Sequence, residues 1–244
     1  MIIKELKWDS DFFEKKIASV FIDSSEKESE IISELLSYKN VYDVMYINTP
    51  GDYFFSEDIL ANEDILLVDS RIIYHGVISN VKPDIDNHIS VYSSEELNAD
   101  LLSLSLLSGA YSRYKTDKHF KNGEFEKLYT KWIENSINKS IADDILIYND
   151  DNNKITGMVT VSVDPISDSV KIGLIAVNQS IQKKGIGSKL MNAIKTYAFN
   201  HSIRKIEVTT QSENRQACIF YEKCGLSVKL KTNIYHFWLN NRYK

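Results

Sequence analysis

The stretch Lys171–Lys195, KIGLIAVNQSIQKKGIGSKLMNAIK, decides how the rest of the chain is read. Ile172, Gly173, Leu174, Ile175, Ala176 and Val177 are apolar in both alternating phases, which predicts a strand covered on both faces or bulged where the alternation fails. Downstream, Ile186, Leu190, Ile194 and Ala198 recur at helical spacing. Between strand and helix lies Gln182-Lys183-Lys184-Gly185-Ile186-Gly187, a glycine-opened helix start. First-turn N–H groups have no intrahelical partner and sit at the positive end of the helix dipole, so such a turn accepts anions. Lys183 and Lys184 add full charges to that partial one. The spacing excludes a P-loop, since no Gly-Lys-Ser/Thr follows, and Leu190 stands where a dinucleotide fingerprint needs a third small residue.

This strand and turn resemble motif A of the Gcn5-related N-acetyltransferase (GNAT) family, in which Gln/Arg-x-x-Gly-x-Gly/Ala follows a strand ending in an apolar-Ala-Val run. Here Ile175-Ala176-Val177 leads to Gln182, with Gly185 and Gly187 at the glycine positions. Lys183 stands where the family often has Gly, which leaves one less flexible hinge. A second segment follows in the family's order. Ile206–Gln211 alternates as a strand, and Asn214-Arg215-Gln216-Ala217-Cys218-Ile219-Phe220-Tyr221-Glu222-Lys223-Cys224-Gly225-Leu226 resembles Asn-x-x-Ala-x-x-x-Tyr-x-x-x-Gly-Phe at every anchor but the last, where Leu226 replaces Phe.

The resemblance implies an α/β (α+β) GNAT fold, with a mixed, mostly antiparallel sheet flanked by helices, and direct acetyl transfer from acetyl-CoA without a metal. It implies that Ile175, Ala176, Val177, Gln182, Lys183, Lys184, Gly185, Ile186, Gly187, Asn214 and Ala217 surround acetyl-CoA. Tyr221 would face the departing sulfur. Tyr221 also shares a helical face with Ala217, Phe220 and Cys224, so a purely structural role stays open, and Asn214 is read as a helix cap, a pantetheine contact or both.

Composition is compatible with this reading. At 244 residues the chain exceeds the usual domain of roughly 100–150, so one large or two small domains are expected. Hydrophobic content of 43% supports a packed core. The net charge of −5 and the lack of a dense Lys/Arg tract argue against nucleic acid as partner. No apolar run approaches the ~20 residues that span a bilayer, and the N-terminus has no signal-peptide profile, so a cytoplasmic protein is expected. The two cysteines, Cys218 and Cys224, fall on different sides of one expected helix and do not bridge each other. The five histidines are scattered without metal-ligand spacing, and a thiol on a packing helix face is a poor nucleophile.

Taken in order, Ile2–Leu6 opens the chain and Trp8-Asp9-Ser10-Asp11-Phe12-Phe13 follows as an acidic turn whose aromatics either anchor a loop in the core or line a cleft. Strands are expected at 17–22, 42–48 and 65–74, with helices around 31–36 and 55–62. This gives a small N-terminal α/β domain at 1–82, followed by an acetyltransferase domain at 83–244, with Val81–Asn87 as linker. A strand at 89–92, a leucine-rich helix at 95–107, a helical stripe at Phe125, Leu128, Tyr129, Trp132, Ile133, Ser136 and Ile137, and strands at 145–148 and 154–163 then lead into motif A.

The Trp8–Phe13 stretch, Ser112-Arg113-Tyr114 with Asp117, and Leu128-Tyr129-x-x-Trp132-Ile133-x-x-Ser136 resemble the bacterial dTDP-fucosamine (dTDP-amino-dideoxy-sugar) acetyltransferases. That resemblance implies a nucleotide-linked amino sugar as acceptor, within surface polysaccharide (lipopolysaccharide, O-antigen) biosynthesis, and is compatible with a homodimer. Arg113 and Asp117 would contact that substrate, and Tyr111 or Tyr114 would stack on its base. A peptide N-terminus or small amine is the alternative acceptor, and a CoA-binding module without turnover the alternative function. Asp9, Asp11, Asp117 and His236 are nominees for the base, with ordered water as a substitute.

Overall fold

The first third of the chain alternates strand and helix as its hydrophobic periodicity requires. A computed structural model describes residues 1–23, 27–79, 83–121 and 123–240. In it β1 (Ile2–Glu5), α1 (Lys7–Phe13), β2 (Ile17–Phe21), α2 (Glu28–Leu36), β3 (Val44–Pro50), α3 (Glu57–Asn62) and β4 (Ile65–Val77) follow one another. The acidic turn expected at Trp8–Phe13 is the short helix α1, which stops at Glu14 in a left-handed conformation (φ 53°).

Next come β5 (Ile89–Val91), α4 (Ala99–Ser108), α5 (Arg113–Thr116) and α6 (Glu124–Ile137). The helix expected from residue 95 begins later because the Asn98 side chain caps it, accepting from Asp100 N at 2.7 Å. β6 (Asp144–Asn149), β7 (Ile155–Asp164), β8 (Ser169–Val177), α7 (Ile186–Asn200), β9 (Lys205–Gln211), α8 (Arg215–Lys223) and β10 (Ser227–Trp238) complete the order. The last of these, β10, has no counterpart in the sequence reading.

All ten strands join one mixed sheet in the order β1-β2-β3-β10-β4-β9-β8-β7-β6-β5. Among the described residues only β2–β3 and β8–β9 pair in parallel. The boundary expected at 82/83 adjoins residues outside the described set, as does the start of the expected linker at 81–87. Sheet hydrogen bonding runs across that boundary, since β4 pairs with both β9 and β10. Pro83 is docked, its carbonyl accepting from Thr196 Oγ1 on α7 at 2.9 Å.

Alternation assigns the two faces. Leu146, Val159, Val161, Val170 and Ile172 pack under α7 through Leu190, Met191 and Ile194, while Ile145, Ile147, Met158 and Ala176 face α4 and α6 through Leu101, Leu104 and Ile133. β8 is therefore covered on both sides, as its two-phase apolar run requires, and it is bulged as well. Among the described residues no helix is long and apolar enough to cross a membrane.

Candidate active site

The site begins where β8 and β9 part. Their parallel pairing runs from Ser169–Lys205 to Ile172–Val208 and stops there. At the same level β8 carries one extra residue against β7, between the pairs Val161–Ile172 and Val159–Ile175. The cause is local. The Leu174 N–H leaves the ladder for Thr160 Oγ1 at 2.8 Å, and a Cβ on Gly173 would sit 2.6 Å from that same oxygen, so only glycine fits. Successive N–H groups leave a strand on opposite edges. With Leu174 turned toward β7, the Ile175 N–H turns to the gap, which makes it the candidate donor for a thioester carbonyl. The irregularity thus falls at Gly173–Leu174, inside the apolar run Ile172–Val177 that left a bulge open, and the candidate donor Ile175 opens the Ile175–Val177 segment.

Below the gap lies the motif A turn. Gln182 Nε2 ties it back to Val177 O at 3.0 Å. Lys183 (φ 65°) and Gly185 (φ 80°) both take left-handed backbone conformations, and α7 starts without any side-chain cap. Its first N–H groups therefore have no side-chain cap and can meet an anion, with Lys183 and Lys184 exposed beside them.

Above the turn, the gap opens into a cavity of about 530 Å³. Gly173, Leu174 and Ile175 line one wall, Thr209, Thr210 and Gln211 of β9 another, and Asn214, Ala217 and Tyr221 of α8 a third. The far side comes from the upstream half of the chain, with Trp8, Asp9, Asp69, Arg71, Arg113, Tyr114 and Trp132. The Gly173–Ile175 strand segment and the upstream aromatic and arginine positions, distant in sequence, thus line one cavity, while none of the turn residues Gln182–Gly187 is in its lining.

Residues 108–226 match a family model described as Acetyltransferase (GNAT) family. The chain carries a GNAT acetyltransferase domain. The whole-chain fold agrees. A GCN5-related N-acetyltransferase from Sphaerobacter thermophilus aligns over 98% of this chain and 76% of its own, at 10% identity and a TM-score of 0.58. A functionally unknown conserved protein from Staphylococcus epidermidis covers 91% and 84% at 13% identity and a TM-score of 0.63. A tandem GNAT protein from the clavulanic acid pathway covers 92% and 75% at 9% identity and a TM-score of 0.55. At such identities the likeness is one of fold. With this domain the protein is an acetyl-CoA-dependent N-acetyltransferase.

The GNAT cavity sorts the expected site residues. Asn214 Oδ1 accepts from Ala217 N at 3.2 Å and so caps α8, while the residue also faces the cavity. Tyr221 is buried against Tyr74, with ring centroids 5.7 Å apart, and lines the cavity. Burial pushes its phenol well above the usual value, with Cys224 and Cys218 adding to the effect. Such a phenol donates a hydrogen bond to a thiolate more readily than it surrenders its proton. Ala176 and Val177 lie beyond the cavity lining, on the way to the turn.

Arg113 is held between the rings of Tyr46 and Tyr114, at 4.7 and 4.8 Å. Its Nη2 donates to the Tyr114 hydroxyl at 2.8 Å, and that hydroxyl donates to Asp9 Oδ1 at 3.2 Å. The ring of Tyr114 itself is sunk among Phe13, Phe120 and Trp132. Trp8 offers the open aromatic face instead, 46% exposed and stacked on Phe12 at 5.0 Å. Phe13 belongs to the core. Tyr111 is exposed and does not line the cavity.

Asp117 does not reach the cavity either. Its Oδ2 accepts from His236 Nδ1 at 2.6 Å and Trp238 Nε1 at 2.9 Å, and its Oδ1 accepts from the backbone and ring of His119. Burial pushes this carboxyl up, but the His236 hydrogen bond and charge lead the effects that hold it near about 2. His236 is fully buried and its pKa falls to about 4 through desolvation, so it is neutral near pH 7 and stands outside the cavity.

Asp69 and Arg71 are the site residues that sequence reasoning missed. They are the two charges within the apolar strand Ile65–Tyr74, a signal that was legible but unused. An extra residue in β4 against β10, between the pairs Leu67–Tyr235 and Asp69–Ile234, re-aims this part of the strand. Burial raises the Asp69 carboxyl to about 6, against the pull of Arg113 and Arg71. Asp9 is raised by burial too. A carboxylate tuned near neutrality and lining the cavity is suited to take a proton from an amine.

Proposed function

We propose that the acceptor is the amine of a dTDP-linked amino-dideoxy sugar, of the 3- or 4-amino galactose type used in surface polysaccharides. The observation that carries this reading is the shared cavity, in which the splayed strands and Tyr221 face Arg113, Arg71 and the open Trp8. A nucleotide diphosphate needs a cation and a flat surface to stack on, and this wall provides both. A volume of about 530 Å³ suits a sugar and an acetyl group, with the base left to the Trp8 side.

Acetyl-CoA, bound along the motif A turn, supplies the acyl group as a thioester. Holding it against the amine contributes ~7–11 kcal/mol through orientation alone. Ile175 N–H polarises the carbonyl that the amine attacks. Asp69 accepts the amine proton, and the Tyr221 hydroxyl donates to the sulfur as the C–S bond breaks.

Steady-state kinetics with dTDP- and UDP-amino sugars, free amino sugars and peptides test the reading. Arg113→Ala is expected to raise KM for the nucleotide sugar ~10–100-fold, the scale of one lost charged hydrogen bond, and to leave acetyl-CoA affinity near wild type. Free amino sugars or peptides acetylated as efficiently as the nucleotide-linked form would overturn it.

A further inference from the structure

Three polar atoms on the acceptor wall are buried and, among the described residues, have no hydrogen-bond partner: Asp69 Oδ1, Arg71 Nε and Arg113 Nε. Leaving such a group unmet is costly, so a fold retains it where a ligand meets it. Asp69 is 9% exposed, and Asp69 and Arg71 lie two apart on β4, so both side chains emerge on one face of the sheet. Arg71 is not free to swing away. Its Nη2 donates to Asn48 Oδ1 at 3.2 Å, and Asn48 is itself fixed by Nδ2 bonds to Ser19 Oγ, Val20 O and Tyr46 O at 2.9, 3.1 and 3.1 Å. Nη2 of the guanidinium is thus anchored while the neighbouring Nε–H remains for the ligand.

The wall therefore presents an acceptor next to a rigid donor. Two guanidinium groups stand beside the two carboxylates Asp9 and Asp69 in this lining, so donors and acceptors lie side by side. An amine with an oxygen on the adjacent carbon satisfies both unmet groups at once. We propose that Arg71 sets acceptor specificity by donating its Nε–H to an oxygen on the carbon next to the reactive amine, which Asp69 Oδ1 holds. The acceptor is then a vicinal amino alcohol. This rests on the reading that the substrate is an amino sugar, and it specifies what must flank the nitrogen.

The test compares matched acceptors by kcat/KM. One pair is a dTDP-amino-dideoxy sugar with and without the hydroxyl beside the amine; the other, free of nucleotide, is cis-2-aminocyclohexanol and cyclohexylamine at high concentration. Wild type is expected to favour the hydroxylated member of each pair ~10–100-fold. Arg71→Met, which keeps the stem but no donor, is expected to bring the ratio close to one while acetyl-CoA binds within about two-fold of wild type. Arg71→Lys keeps the charge but not the Nε–H, and is expected to lower the ratio in the same direction should the Met variant fold poorly. An unchanged ratio in the variants overturns the proposal, as does an equal loss on both members of a pair, which marks a structural arginine. If wild type ignores the nucleotide pair, the preceding reading fails while the cyclohexyl pair still decides this one. If it acetylates neither pair, both fail.

Discussion

Two carboxylates, Asp69 and Asp117, are buried in opposite ways. Asp117 spends both oxygens on His236, Trp238 and His119 and is held near about 2. Asp69 leaves an oxygen unmet and rises to about 6. Burial acts in the same direction on each, so the number of donors decides the outcome. A satisfied acid holds structure together. An unsatisfied one is held ready for something the fold does not contain.

The sharpest way to break this contrast is Asp69→Asn. Acetylation is expected to fall ~10²–10⁴-fold, the range for losing a positioned base. Wild-type kcat/KM is expected to rise with pH through a limb near about 6, as the carboxyl of Asp69 loses its proton, and the variant is expected to lack that limb. Because the fold penalises the charged form of Asp69, the Asn variant is expected to melt no lower than wild type above pH 7. A lower Tm with normal turnover would reverse the roles drawn here.

Tyr221 is the intermediate case, buried like Asp117 and facing the cavity like Asp69. Tyr221→Phe keeps the ring and its packing on Tyr74. Turnover is expected to drop ~10²–10³-fold with KM for acetyl-CoA nearly unchanged, as for the removal of one donor used in the transition state. Undiminished kcat would make Tyr221 a core residue only.

The mildest catalytic effect is expected from Asp117→Asn, whose cost falls on stability. With a folded pKa of about 2 against ~3.9 unfolded, the ionised group contributes ~2–3 kcal/mol above pH ~4, lost as pH falls toward 2. His236, at about 4 against ~6.5, adds a loss of stability as pH falls from ~6.5 to 4, because the unfolded chain binds its proton first. Melting curves of wild type from pH 7 to pH 3 are expected to show both losses. The Asn variant should have a lower Tm at neutral pH and near-normal kcat.

How much of this could be read beforehand follows from where the information lies. The motif A strand, turn and helix are local, so Gly185, Gln182 and the periodicity of α7 were legible. The splay of β8 and the donor it frees were half legible. The two-phase apolar run allowed a bulge, but its position depends on Thr160, a residue of the neighbouring strand. Asp69 and Arg71 were visible as two charges in an apolar strand and Trp8 as part of an aromatic stretch, but that they share one cavity was not legible, because the residues that place them lie far along the chain. Tyr114 and Arg113, read as substrate contacts, do line the cavity, yet the exposed aromatic face there is that of Trp8, since Tyr114 is consumed by the aromatic cluster around it. The missed strand β10 alternates poorly at its end, where Ile234–Trp238 is buried without interruption. A central strand covered on both faces looks, in sequence, like any apolar run.

The position of β10 has a consequence for biogenesis. Residues 227–238 are made after every other strand of this sheet, yet they fill the slot between β3 and β4, two strands made early. Until they arrive, those strands expose unpaired edges and Asp117 lacks two of its donors. The N-terminal segment therefore has to wait for β10 before its sheet is finished, a slow, long-range closure that leaves nascent chains open to chaperone capture or aggregation.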